Sequence, residues 1–204
     1  MMKNKIISLI SLTIGFLLIA FLIANKFSVV VNFDHAINNF MLAHQYPSVT
    51  SFMLSITKIL NPIEAVIIFA IFGLFLFLKN RHYFYSFTIS TALGTLLPIG
   101  LKFLTQIPRP SLLLEQDFSF PSAHATIATV FLLSSIFFLL PLMKESLSKN
   151  IFKIITYVVF PLVAFSRIYL SVHWTSDVLA GIILGFICFI IGEIICCQKK
   201  ENVL

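Results

Sequence analysis

Residues 151–196 read IFKIITYVVFPLVAFSRIYLSVHWTSDVLAGIILGFICFIIGEIIC. Two apolar runs stand in this stretch, Ile151–Leu170 and Val178–Cys196. Each is about 20 residues long, enough to cross roughly 30 Å of hydrocarbon as an α-helix. The connection between them, SVHWTSD at 171–177, is polar. Ser166, Arg167, His173 and Asp177 therefore sit at or just outside the ends of two membrane spans. A charge at membrane depth costs roughly 2.5–3.5 kcal/mol on insertion scales, so such a cluster is a functional signal by default.

Working outward, the same reading gives four further spans: Ile6–Ala24, Pro62–Leu78, Phe84–Leu101 and Ala125–Met143. With 204 residues, 59% hydrophobic and 11% charged, and a mean hydropathy of +1.01, the chain reads as an integral membrane protein. The expected architecture is all-α: a six-span bundle forming one membrane-embedded domain over 1–204. Residues 25–61 are too polar to span. Their apolar positions recur at helical spacing (Phe33, Ile37, Phe40; later Phe52, Ile56, Ile59), which predicts one or two short amphipathic helices at the interface. Lys3 and Lys5 before Ile6–Ala24 resemble a signal peptide. The 19-residue apolar run exceeds the usual 7–15-residue core, so it reads as a retained first span.

Six spans put both termini on one side. Lys3, Lys5, Lys79, Arg81, Lys144, Lys149, Lys153, Lys199 and Lys200 fall on the terminal side, nine of the fourteen basic residues. The positive-inside rule then places the termini in the cytoplasm and the polar strings outside. This asymmetry accounts for most of the net charge of +6, which argues against nucleic acid as a partner. The 23 phenylalanines read as lipid-facing and packing residues. Three cysteines (Cys188 in the last span, Cys196 and Cys197 at its end) form no disulfide framework.

Two more polar strings accompany the first. In Lys102…Arg109-Pro110, Pro108 and Pro110 stop the helix and hold an arginine fork near a lysine at the membrane surface. In Pro121-Ser122-Ala123-His124, Ser122 is a helix cap, the free N–H groups beside it favour an anion, and His124 falls in the first turn. His173 and Asp177, four apart, allow the carboxylate to hold one ring nitrogen. Each string alone has a structural explanation: interfacial anchors, a plain cap, a satisfied histidine. In combination they put three cations, a helix N-terminus and two histidines on one membrane face, a phosphate trap with acid–base groups.

Lys-x6-Arg-Pro, Pro-Ser-x-His and Ser-Arg-x5-His-x3-Asp, within 102–177, resemble the three-part signature of the type 2 phosphatidic acid phosphatase superfamily. The strings resemble in particular the bacterial membrane branch, the phosphatidylglycerophosphate phosphatase B and undecaprenyl pyrophosphate phosphatase group. The resemblance implies a lipid phosphatase or diphosphatase. Lys102, Arg109 and Arg167 would bind phosphate, with Ser122 and the amides around Ala123 completing the anion site. His173 would be the nucleophile, Asp177 its orienting partner and His124 the acid–base group. It implies a phosphohistidine intermediate and a phosphorylated membrane lipid as partner. The oligomeric state stays open. No cofactor and no metal are expected, since Asp177 is already engaged in this reading. Glu115 and Asp117 in the connecting loop read as solvated charges, and His35, His44 and His82 as partnerless. The family usually has glycine where this chain has Ala123, which matters if that residue needs φ above zero. Other classes stay in play: an anion or lipid transporter built on the same cations, or a phosphotransferase with the same nucleophile.

Overall fold

Backbone in hydrocarbon has to satisfy its own hydrogen bonds, and the apolar runs do so as helices. The computed structural model describes residues 2–201; the side chains of Pro62 and of residues 197–201 lie outside what it describes. Among the described residues are eight helices and no strand: α1 (Met2–Ala24), α2 (Ser28–Ala43), α3 (Pro47–Lys58), α4 (Pro62–Lys79), α5 (Arg81–Thr105), α6 (Ala123–Leu142), α7 (Leu147–Tyr169) and α8 (Thr175–Glu201). Helices α1, α5, α6, α7 and α8 are long and apolar enough to span, and α3 and α4, bent by 52°, pass the same test together. The fold is all-α and multi-pass, as expected, and two amphipathic helices fill the polar 25–61 stretch.

Local chemistry sets the boundaries. Asn80, Ser122 and Ser146 each cap the following helix through a side-chain oxygen. Proline opens α3 and α4, where its missing N–H has no partner to lose. Gln106 ends α5 in the left-handed region (φ 50°), just before Pro108. A π turn over Ser135–Leu139 widens α6 one turn before Pro141, which cannot donate to the helical ladder.

Helix α8 is the hub, packed against α1, α5 and α6. Small residues let it approach closely. A Cβ at Gly185 would lie 2.5 Å from Thr129 Cβ, and one at Gly181 would lie 2.6 Å from the Ser122 carbonyl oxygen. The second clash matters, because it links the α6–α8 approach to the start of the polar pocket. Phenylalanine serves both predicted purposes: Phe87 and Phe131 are buried with rings 5.5 Å apart, while Phe103 is exposed on the outer surface.

Two sets of contacts define the ends of the bundle. Lys5 and Glu193 pair at 2.8 Å, so the start of α1 lies beside the far end of α8. Asp177 opens α8 sixteen residues earlier, about 24 Å away along the helix axis at 1.5 Å per residue. At that opposite end, α2 and α3 dock through specific hydrogen bonds. Asp34 accepts from Ser176 N and Oγ (2.9 and 2.5 Å), Thr57 accepts from Arg167 (2.6 Å), and Gln45 donates to the Tyr169 carbonyl (2.7 Å).

Candidate active site

The three polar strings converge. Helix α5 delivers Lys102 one turn before its end, and the irregular segment after Gln106 brings Arg109 against His173. Helix α7 ends at Tyr169, and Ser171 turns the chain through the left-handed region (φ 54°). The amides of Val172 and His173 thereby return to the Arg167 carbonyl (both 3.2 Å), which points the His173 ring inward. A non-glycine residue in that region costs of order 1–3 kcal/mol, so the site's geometry is held against local preference.

Arg109 is the centre. Its Nη1 donates to the Val172 carbonyl (2.6 Å) and lies 3.0 Å from His173 Nε2. A guanidinium has donors and no acceptor, so Nε2 must present its lone pair to Arg109. The neutral ring then carries its proton on Nδ1, which faces Asp177 Oδ2 at 3.5 Å, too far for a hydrogen bond. Asp177 is itself held by the Trp174 amide (2.9 Å). Burial, followed by the charges of Arg109 and Arg167, holds His173 well below the ordinary imidazole range, so the ring is neutral at pH 7. The buried imidazole thus offers an unprotonated Nε2 toward the cations.

Arg167 joins the same cluster through an acid of the 107–122 loop. Glu115 bridges it to Arg109, at 2.5 Å on the Arg109 side. Asp117 takes Lys102 at 2.6 Å and also binds Arg109 Nε (2.9 Å) and Nη2. The expectation that these two acids are ordinary solvated loop charges is overturned: both are paired to the cations. Burial alone would raise the Asp117 carboxyl, but the hydrogen bonds and charges of Lys102 and Arg109 outweigh it and hold it below the usual carboxylate range.

The second string meets the third through backbone. The Ser122 amide donates to the Asp177 carbonyl (3.1 Å), and the Ser122 hydroxyl caps α6 at Ala125 N (3.4 Å). Ala123 is the first residue of α6 and is not among the positive-φ residues, so a methyl group is compatible with its backbone. His124 does not join the ion-pair chain. Its Nε2 lies 3.4 Å from Asn61 Oδ1, and the ring faces an apolar groove of about 610 Å³ between α4, α5 and α6. Val66, Phe69, Leu96 and Ile99 line that groove.

Besides the reassignment of Glu115 and Asp117, the structure brings in Asp34, Thr57, Asn61 and Trp174, which the sequence does not single out. Asp34 is buried and grips the first turn of α8, one residue from Asp177. Burial raises its carboxyl above the usual range against the hydrogen bonds from Ser176. His35, read as partnerless, meets the Trp174 ring edge-on at 4.9 Å, and Trp174 Nε1 donates to the Pro108 carbonyl (2.9 Å). Asp34→Ala removes a cap carried by another helix, and thermal unfolding should register a loss of about 1–2 kcal/mol.

With this geometry in view, residues 81–200 match the PAP2 superfamily, more than half of the chain. The chain belongs to the PAP2 superfamily. Within it, the chain is 41% identical over 76 residues to a phosphatidylglycerophosphatase B of Bacillus subtilis (strain 168). It is 31% identical over 110 residues to a putative undecaprenyl-diphosphatase of Escherichia coli (strain K12). These stretches cover 37% and 54% of this chain, and 37% and 51% of the two relatives. The solved transmembrane PAP2-type phosphatidylglycerolphosphate phosphatase from Bacillus subtilis superposes with a TM-score of 0.78 at 28% identity, covering 97% of this chain and 98% of that one. Aquifex aeolicus LpxE superposes at 0.60 and 26% identity, over 81% of this chain and 95% of its own.

Proposed function

We propose that this PAP2 protein is a membrane lipid phosphatase that removes a phosphomonoester or pyrophosphate group from a lipid, without a metal, through a phosphohistidine. The observation that carries the reading is the 3.0 Å approach of Arg109 Nη1 to His173 Nε2 inside the cation cluster. It aims an unprotonated nitrogen at the place where phosphate oxygens would be held. The names of the matched relatives point to the same chemistry.

In this mechanism Lys102, Arg109 and Arg167 bind the terminal phosphoryl oxygens, with Ser122 and the first amides of α6, around Ala123, adding neutral donors. His173 Nε2 attacks phosphorus while the P–O bond to the lipid breaks. His124 gives its proton to the leaving oxygen. Asp177 takes up the Nδ1 proton contact and stabilises the positive charge that develops on the ring, a hydrogen bond expected to form once substrate is bound. Water then attacks the P–N bond, His124 takes its proton, and inorganic phosphate leaves. Positioning and charge neutralisation supply most of the rate in such transfers. The Glu115 and Asp117 carboxylates are spent on cations of this chain, and Asp177 on His173, so the donor set suits phosphate oxygens better than Mg²⁺.

The groove that ends at His124 suits an acyl or isoprenoid chain. Val66, Leu96 and Ile99 are exposed along it, so a lipid can enter sideways from the bilayer. Undecaprenyl pyrophosphate and phosphatidylglycerophosphate are the favoured substrates. The basic-residue asymmetry favours cytoplasmic termini and a site at the outer leaflet. A cysteine placed at Leu113, an exposed position in the 107–122 loop, should be labelled by an impermeant reagent on intact cells. Labelling only after permeabilisation would reverse that orientation. The activity itself is tested by phosphate release from a panel of lipid phosphates in detergent with EDTA. Release should persist in EDTA, and a requirement for added Mg²⁺ would sink the metal-free mechanism.

A further inference from the structure

The three cations of the site already hold two carboxylates. Glu115 lies between Arg109 and Arg167, and Asp117 between Lys102 and Arg109. Guanidinium groups cannot shed their protons, so this cluster is neutralised only by an anion. Three cations against two acids leave a formal charge of +1. We propose that Glu115 and Asp117 are specificity-determining residues that admit a phosphomonoester or diphosphate terminus and exclude a phosphodiester. The inference rests on the phosphatase reading above and concerns the same site.

The physical case is one of exchange. A membrane enzyme faces lipid headgroups that are mostly phosphodiesters, each carrying a single negative charge. Three cations without acids of their own would bind such headgroups without discrimination. With two carboxylates in place, an entering anion has to replace both. A phosphate monoester carries about −1.5 to −2 at pH 7 and three terminal oxygens, enough to take over all three cations. A diester brings one charge and two free oxygens, so the exchange would leave a buried guanidinium unpaired, which is strongly unfavourable. Discrimination then comes from an element that competes with the wrong ligand as much as from attraction to the right one.

The geometry is arranged for acids that leave and cations that stay. The Arg109 and Arg167 side chains are 0% and 3% exposed, while Glu115 and Asp117 are 29% and 57% exposed and approach from the solvent side. Both acids lie on the 107–122 loop, whose base is closed by Ser119 N donating to the Ile107 carbonyl (2.8 Å). Outward movement of the acids returns them to water. The guanidinium of Arg109 stays tied to the Val172 carbonyl and beside His173.

The test uses the full chain in a detergent without phosphate, a lipid phosphomonoester as substrate, and phosphatidylmethanol, an anionic diester that is the product of neither favoured substrate, as the competitor. The wild-type KM should not respond to an excess of phosphatidylmethanol. Glu115→Gln/Asp117→Asn should become competitively inhibited by it, with KM raised about tenfold, while inorganic phosphate inhibits at about tenfold lower concentration. Competitive inhibition of the wild type by phosphatidylmethanol overturns the inference without any variant, so a double variant that fails to fold does not shelter it. A folded variant as indifferent to phosphatidylmethanol as the wild type overturns it equally. Hydrolysis that proceeds but yields to the diester leaves the phosphatase reading standing and removes this inference. No hydrolysis of any lipid phosphomonoester by the wild type removes the reading, and the inference with it.

Discussion

His173→Ala should lower kcat by at least about four orders of magnitude, because it deletes the atom expected to bond to phosphorus. Among the described residues of the site, this ring combines burial, an unprotonated nitrogen and direct contact with Arg109, the arginine proposed to bind phosphate. Its surroundings survive the substitution. Asp177 keeps its bond from the Trp174 amide, and Arg109 keeps the Val172 carbonyl. The variant should therefore fold and still bind substrate, which a KM close to the wild-type value would report. Rapid acid-labile capture of labelled phosphate on the protein should disappear together with turnover. Activity within tenfold of the wild type would remove His173 from the nucleophile's role.

Arg109→Lys should cost about 10²–10³-fold in kcat/KM, although it preserves the charge. Arg109 works as a fork. Nη1 serves the Val172 carbonyl and His173, Nε serves the carbonyl and carboxylate of Asp117, and Nη2 serves Glu115 and Asp117. An ammonium at the end of a flexible stem cannot hold these directions at once. It would lose the contact that fixes the lone pair on His173 Nε2. Lys102→Arg tests the opposite assumption, because Lys102 makes a single ion pair to the more exposed Asp117 and should tolerate exchange with a smaller loss. Equal losses at the two positions would mean that charge, rather than the fork, is what the site requires.

Much of this was readable from local pattern. Spans of about 20 apolar residues announce themselves because hydrocarbon thickness fixes their length. Lys102, Arg109, Ser122, Arg167, His173 and Asp177 stand out in combination, because charges near membrane depth are costly and these gather on one face. The doubt over Ala123 needed the backbone, which places it as the first residue of α6 with φ below zero.

The residues that escaped reading share a physical cause. Asp34 meets Ser176 across 142 residues, Thr57 meets Arg167 across 110, and Asn61 meets His124 across 63. No periodicity or spacing encodes such pairs. Within 25–61 the apolar positions reveal amphipathic helices, yet the polar face looks equally suited to water or to a site. Glu115 and Asp117 show the same ambiguity: acids in a loop between spans look solvated until the chain folds them onto cations. The sequence by itself determined a helical membrane bundle and the chemical kinds gathered at one end of it, because hydrophobic length and costly charges are local properties. Only the tertiary structure decided which nitrogen of His173 is bare, what stands against each arginine, and that Lys102, Arg109 and Arg167 hold acids of their own. Those facts depend on distances of about 3 Å between groups far apart in the chain, which packing alone creates.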